Sequence, residues 1–346
     1  MEGPSAHFQL DFIERFQRLL DSGGFVATYK YALLISLCNV AAEQGFDDAR
    51  PQRIQISDLG QQFMRLYWNH VRHYPGVDHP LRQNTGKPAA ILKTVAQARE
   101  SVADPDRTDA LDSVPETLLR QATERVRTMP LMKLQTIGRQ KDDPDHPDNF
   151  LYPTRVTHGY IVLRPGVSAC LRRFRPLLVS TTQTAWSDYV RRTNPELGAG
   201  HDLDRFLFGA DRVALHPLAP ALMELQDGKC FYTGRPLSDE FQVDHFIPWS
   251  KFPLNTSFNL VLASRVANLQ KSDHLAAVPH LRRWSERNLT CHDELLRIGA
   301  TGQDFQRSLS IAEYTYATAA RLGSLGWLRG RSMDDLDGWD EALQAS

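Results

Sequence analysis

Three things are scarce in this chain, and each scarcity argues against a class of protein. Cysteine is the first: Cys38, Cys170, Cys230 and Cys291 are the only four, widely separated and with no repeated spacing. A disulfide-built secreted domain needs paired, closely spaced cysteines, so free thiols in a reducing compartment are expected. Long apolar runs are the second. The longest, around Ala32 to Cys38, is far too short to span a bilayer, and the N-terminus lacks a basic region followed by an apolar stretch. A cytoplasmic protein with no membrane association is expected. The third is an excess of one charge: 40 Lys and Arg stand against 41 Asp and Glu, a formal net charge of -1. Proteins that gather nucleic acid by bulk attraction are usually basic overall, so any such binding here has to be local.

A local basic stretch is present. Between 151 and 200 lie Arg155, Arg164, Arg172, Arg173, Arg175, Arg191 and Arg192 against Asp188 and Glu196 alone, while the tail from Asp334 to Glu341 is acidic. Arg172, Arg173 and Arg175 are the candidate nucleic-acid contacts of this stretch, with a solvated helix face as the competing reading of each. Gly86-Lys87 has the look of a phosphate loop, but the upstream glycine at the required spacing is missing, which excludes a nucleoside-triphosphate site of that kind.

The 346 residues are about two domains' worth, and 42% hydrophobic content is enough for real cores. The first half reads as helical. Phe8, Phe12, Phe16 and Leu19-Leu20 recur at helical spacing, and Tyr29 to Ala42 is apolar all round, as a core helix is. After a polar linker from Asp47 to Arg53, Ser57 is placed to cap a helix running to about His70, and further helices are expected from about Pro88 to Glu100 and from Ser113. The Asp- and Pro-rich segment 138–149 reads as a linker, giving a helical recognition or docking module over 1–145 and a second domain over 150–346. In the latter, Tyr152 to Leu163 reads as a hairpin turning at His158-Gly159, Gly166 to Asn194 as one long helix, and Pro217 to Gln226 and Ser308 to Leu328 as helices.

The densest chemistry lies in Val243-Asp244-His245-Phe246-Ile247-Pro248, followed by Asn259-Leu260-Val261-Leu262 and Asn268-Leu269-Gln270-Lys271-Ser272-Asp273. Hydrolysis of a phosphodiester needs a water made nucleophilic at neutral pH, and the imidazole of His245 suits a general base there. The phosphate and the leaving oxygen gather negative charge, which a hard divalent cation on oxygen ligands can neutralise; Asp244 and the amide oxygen of Asn268 can supply two. Neighbours on a strand face opposite ways, so Asp244 and His245 serve one site only if the strand ends or bends there, and Pro248 makes a bend expected. Asn259 is placed to orient the loop that carries His245. His274 is read as surface or nucleic-acid contact, and His216, His280 and His292 as structural.

Over residues 229–275 these motifs resemble the HNH endonuclease family, including the HNH domains of RNA-guided nucleases. The resemblance implies a two-stranded ribbon followed by a helix, a ββα-metal core within an α+β, mostly α-helical chain. It implies Asp244 and Asn268 as metal ligands, His245 as general base, Asn259 as the central asparagine of the motif and Lys271 as a basic group near the phosphate. His245, Asn259 and Lys271 are thus the expected catalytic set, and Arg265 a further nucleic-acid contact. One departure stands out. Many relatives flank the site with two Cys-x-x-Cys pairs that bind structural zinc, and here those positions read Cys230-Phe231-Tyr232-Thr233 and Ser264-Arg265-Val266-Ala267. Tetrahedral zinc needs four strong ligands, so no structural zinc is expected, and Phe231, Tyr232, Val243 and Phe246 should hold the hairpin instead.

The expected function is a Mg2+- or Mn2+-dependent endonuclease acting on DNA, with RNA not excluded, in bacterial defence or restriction. A protein partner encoded in the same operon, or a homodimer, would complete it. The competing expectation is a non-cleaving nucleic-acid-binding or scaffold subunit of a multi-protein complex.

Overall fold

The computed structural model describes residues 2–22, 27–86, 90–106, 110–135, 149–153, 159–197, 203–209, 215, 218–238, 240–299 and 302–344. The chain is α+β and mostly helical, and it divides into two compact units: Met1–Ala103 with Val114–Gly209, and Asp104–Ser113 with Ala210–Ser346. The boundary expected in 138–149 and the turn expected at His158 lie outside the described residues, Asn149 excepted, as do Lys87, Arg155 and His216.

The first unit contains α1 (Ala6–Ser22), α2 (Tyr29–Gln44), α3 (Ile56–Tyr67), α4 (Ala90–Ser101), α5 (Glu116–Thr128), α6 (Pro130–Lys133), α7 (Val167–Arg173), α8 (Arg175–Thr193) and α9 (Leu203–Phe208). Every residue of α2 from Tyr31 to Ala42 is buried, as its all-round apolarity requires. The polar segment read as a linker holds a strand, β1 (Gln52–Gln55), antiparallel to β2 (Tyr160–Leu163). Residues 160–163 therefore pair far back along the chain. Because β1 runs straight into α3, the helix starts at Ile56 with Gln55 before it, and Ser57 is not its cap. The long helix expected over 166–194 is two. Pro176 lacks the N–H that would continue the ladder, so the chain breaks at Phe174 and α8 restarts with the proline in its first turn.

The second unit contains α10 (Ala219–Leu225), the antiparallel ribbon of β3 (Phe241–His245) and β4 (Leu260–Ser264), α11 (Arg265–Lys271), α12 (Val278–Thr290), α13 (His292–Gly299), α14 (Gly302–Arg321), the pair β5 (Gly326–Arg329) and β6 (Ser332–Asp334), and α15 (Trp339–Gln344). The helix expected over 308–328 thus stops at Arg321 and gives way to β5.

Both faces of the ribbon are covered. Leu260 and Leu262 of β4 bury against Leu215, Leu218, Ala219 and Leu222, with Phe241 and Val243 of β3 packed on the same cluster. Past the end of β3, Phe246 lies parallel to Trp284 of α12 at a centroid distance of 5.1 Å, and Phe231 meets it edge-on at 5.7 Å. Fully burying rings of this size is worth roughly 1.5–3 kcal/mol each. The same helix ties down the entry to β4: Trp284 Nε1 and Arg287 donate to the Phe258 carbonyl, and Arg287 also to that of Leu260 at 2.7 Å. Burial lowers the Arg287 pKa to about 10, which still leaves it charged at neutral pH.

Candidate functional site

The register pairs Val243 with Leu262, Asp244 with Val261 and His245 with Leu260. Side chains alternate along β3, so Gln242 and Asp244 share one face and Val243 the other. α11 follows β4 directly, its first turn capped by the Ser264 hydroxyl, which accepts from the Ala267 N–H at 3.3 Å. This helix meets the Gln242–Asp244 face twice. Asn268 Nδ2 donates to Gln242 Oε1 at 2.6 Å, and Lys271 Nζ lies 2.9 Å from Asp244 Oδ2.

Asp244 is buried, and the same Oδ2 accepts from the Tyr232 hydroxyl at 2.6 Å. Burial and then the Asp244 charge raise the Tyr232 pKa well above its ordinary value, so the phenol stays a neutral donor. Oδ1 takes no part in either contact. Lys271 is fully buried and also donates to the His245 carbonyl at 2.9 Å. Its ammonium is turned toward Asp244 and the His245 carbonyl and is not presented to solvent. It braces the end of β3 and the Asp244 carboxylate.

β3 ends at His245, and residues 246–247 bend away, as a site shared by adjacent residues requires. The His245 Nε2 lies 2.6 Å from Asn255 Oδ1, and the ring stands 5.3 Å from that of Trp249. Asn259 is wholly buried and spends its amide on backbone: Oδ1 accepts from the Ile247 N–H at 2.8 Å, while Nδ2 donates to the carbonyls of Ile247 and Leu254 at 3.2 and 3.0 Å. Its amide ties together the two ends of the loop that follows His245.

The structure therefore brings Asp244, Asn268 and Lys271 to one face, with His245 at the strand end above Lys271 and Asn259 behind the loop. The arginines fare differently. Arg172 is buried against the Ala42 carbonyl and 3.3 Å from Asp47, and Arg175 is buried on Asn39 Oδ1 at 2.8 Å. Both are spent inside the first unit, so neither side chain is presented to phosphate. Arg173 is exposed beside the Phe174 ring, and Arg265 is exposed with Glu240 at 3.6 Å. His274 is exposed, while His280 is buried with Nε2 on the Leu328 carbonyl at 2.8 Å.

Two neighbours of the site escaped the sequence reading. Tyr232 was expected as apolar packing, yet a buried tyrosine in place of phenylalanine calls for a hydrogen-bond partner, and that signal was available. Asn255 carried no signal, because only the path of the loop brings it to His245.

Where the zinc pairs of relatives would sit, Cys230 Sγ accepts from the Ser264 N–H at 3.3 Å. Burial raises this thiol's pKa, but hydrogen bonds from Thr233 and from the Ser264, Thr233 and Tyr232 backbone outweigh it and leave the value below the usual range. No group of three or more His, Cys, Asp or Glu side chains that could hold a metal is present among the described residues. The donors offered by β3 and α11 are one carboxylate and one amide oxygen. That set fits a hard cation that keeps much of its shell as water and phosphate oxygen.

Residues 230–277 match the family described as HNH endonuclease, and this segment is an HNH domain. No curated protein and no solved structure matches the chain. HNH domains are generally nucleases that act on nucleic acid and use divalent metal ions.

Proposed function

We propose that the chain is a metal-dependent endonuclease that hydrolyses DNA phosphodiester bonds, and that foreign DNA is its target. The observation that carries this reading is the placement, within an HNH domain, of Asp244 and Asn268 on the face of β3 covered by α11, with His245 where the strand ends. His245 takes the proton of the attacking water. Asp244, held by Tyr232 and Lys271, and Asn268, held by Gln242, would hold Mg2+ or Mn2+, which would offset charge on the phosphate and leaving oxygen. Arg265, exposed at the start of α11, meets the nucleic-acid backbone.

A plasmid-relaxation assay with Mg2+, Mn2+ or EDTA tests this, run beside a single-stranded RNA substrate. Nicked circles should accumulate with metal and vanish with EDTA. His245→Ala should lower the rate about 10²- to 10⁴-fold with an unchanged melting curve; a variant as active as the parent removes the assignment. One observation favours a second reading, a binding subunit that does not cut: the Asp244 carboxylate is already matched by the Lys271 ammonium. Gel-shift binding with no product under any metal would support that one.

A further inference from the structure

We infer that Asn255 is a positioning residue that fixes the tautomer of His245, so that Nε2 carries the proton and Nδ1 the lone pair that accepts a proton from water. The inference deepens the nuclease reading of the site and rests on it for its catalytic half. Its structural half stands on the loop itself.

The chain leaves β3 at His245 and returns through Thr256 to β4. The intervening residues are pinned, with Phe246, Ile247, Pro248, Phe252 and Leu254 all buried. The Phe252 N–H donates to the Pro248 carbonyl at 3.1 Å, closing a turn inside the loop. Asn259 bonds to backbone at both ends of the excursion, Ile247 at the start and Leu254 at the finish. The Phe246 N–H returns to the Asn259 carbonyl at 2.8 Å. Leu254 is thus clamped by the residue that also anchors the stretch just after His245, and Asn255 follows it immediately.

The outcome is a contact of 2.6 Å between Asn255 Oδ1 and His245 Nε2. An amide oxygen accepts and does not donate, so it selects the imidazole form with hydrogen on Nε2; in a neutral ring the other nitrogen then holds the lone pair. Trp249 flanks the same ring and limits its rotation. A neutral acceptor sets the tautomer without placing a second negative charge beside Asp244. The sequence order serves the geometry: Asn259 sets Leu254, Leu254 sets Asn255, and Asn255 sets His245.

The test reads the tautomer directly. Long-range proton–nitrogen NMR spectra of the ¹⁵N-labelled full chain, with the His245 signals assigned by their loss in His245→Gln, should show hydrogen on Nε2. Asn255→Ala should convert this to a tautomer mixture, while Asn255→Asp, which keeps an acceptor oxygen, should retain it. In the plasmid assay Asn255→Ala should lower kcat about 10- to 100-fold with KM little changed, and Asn255→Asp should recover most of the loss. A wild-type spectrum with hydrogen on Nδ1, showing the amide turned to donate, overturns the inference. So does an Asn255→Ala protein with unaltered tautomer and kcat. If the chain cuts nothing, the spectra still decide the tautomer, which separates failure of this inference from failure of the nuclease reading.

Discussion

Burial decides what Lys271 does. Its ammonium has no exposure and two partners, the Asp244 carboxylate and the His245 carbonyl, so the charge serves to hold the site together. Removing one member of a buried ion pair strands the other, a loss of about 3–5 kcal/mol. Lys271→Met should therefore lower the unfolding free energy obtained from a urea titration by that much, and a value unchanged from the parent would contradict the pairing. Which residues belong together was legible at this scale because Asp244, His245, Asn259 and Asn268 recur at a characteristic spacing. What each touches was less so. Lysine on paper is a surface cation, and only the fold shows that the C-terminal turn of α11 delivers this one beneath β3. Arg172 and Arg175 mislead in the same way: a run of arginines looks like a phosphate-binding face until α7 and α8 turn two of them toward Ala42 and Asn39.

Elements were legible where hydrophobic periodicity was long. α2 needed no more than its predominantly apolar run, interrupted only by Ser36 and Asn39 between Tyr31 and Ala42, and the ribbon and α11 follow from the motif. The four-residue β1 was hidden because so short a strand has too few alternations to register, and its partner β2 lies far along the chain. Breaks in helices depended on single residues, such as Pro176 between α7 and α8. Capping was misplaced at Ser57, whereas Ser264, not singled out as a cap, closes the first turn of α11. Ser264→Ala should cost about 1 kcal/mol in a denaturant titration, the usual worth of such a cap. Since α11 carries Asn268, proposed above as a metal ligand, the same change should weaken metal binding, seen as a higher Mg2+ concentration needed for half-maximal rate.

Across the molecule, the first unit should carry an acid sensitivity of its own. His70 is completely buried, and desolvation, only partly opposed by the Leu207 carbonyl, lowers its pKa from 6.5 to about 4. The unfolded chain therefore binds a proton that the folded one refuses. The stabilisation is full above about pH 6.5 and is lost as the pH falls through that value toward 4, amounting to about 3 kcal/mol at most. Melting temperatures recorded between pH 7.5 and 4.5 should decline more steeply for the parent than for His70→Gln, and parallel curves would rule out this source of acid sensitivity. The second unit carries a different legacy of the way the chain is divided. It is assembled from Asp104–Ser113 and Ala210–Ser346, with the Val114–Gly209 part of the first unit encoded between them. A recombination event that moved the C-terminal part of the gene as one block would carry the ribbon, α11 and every residue of the site, but not the ten codons for 104–113. Moving this unit as a complete body would therefore take both stretches of the gene together, so the natural cut for a transplantable nuclease is not a single point in the chain.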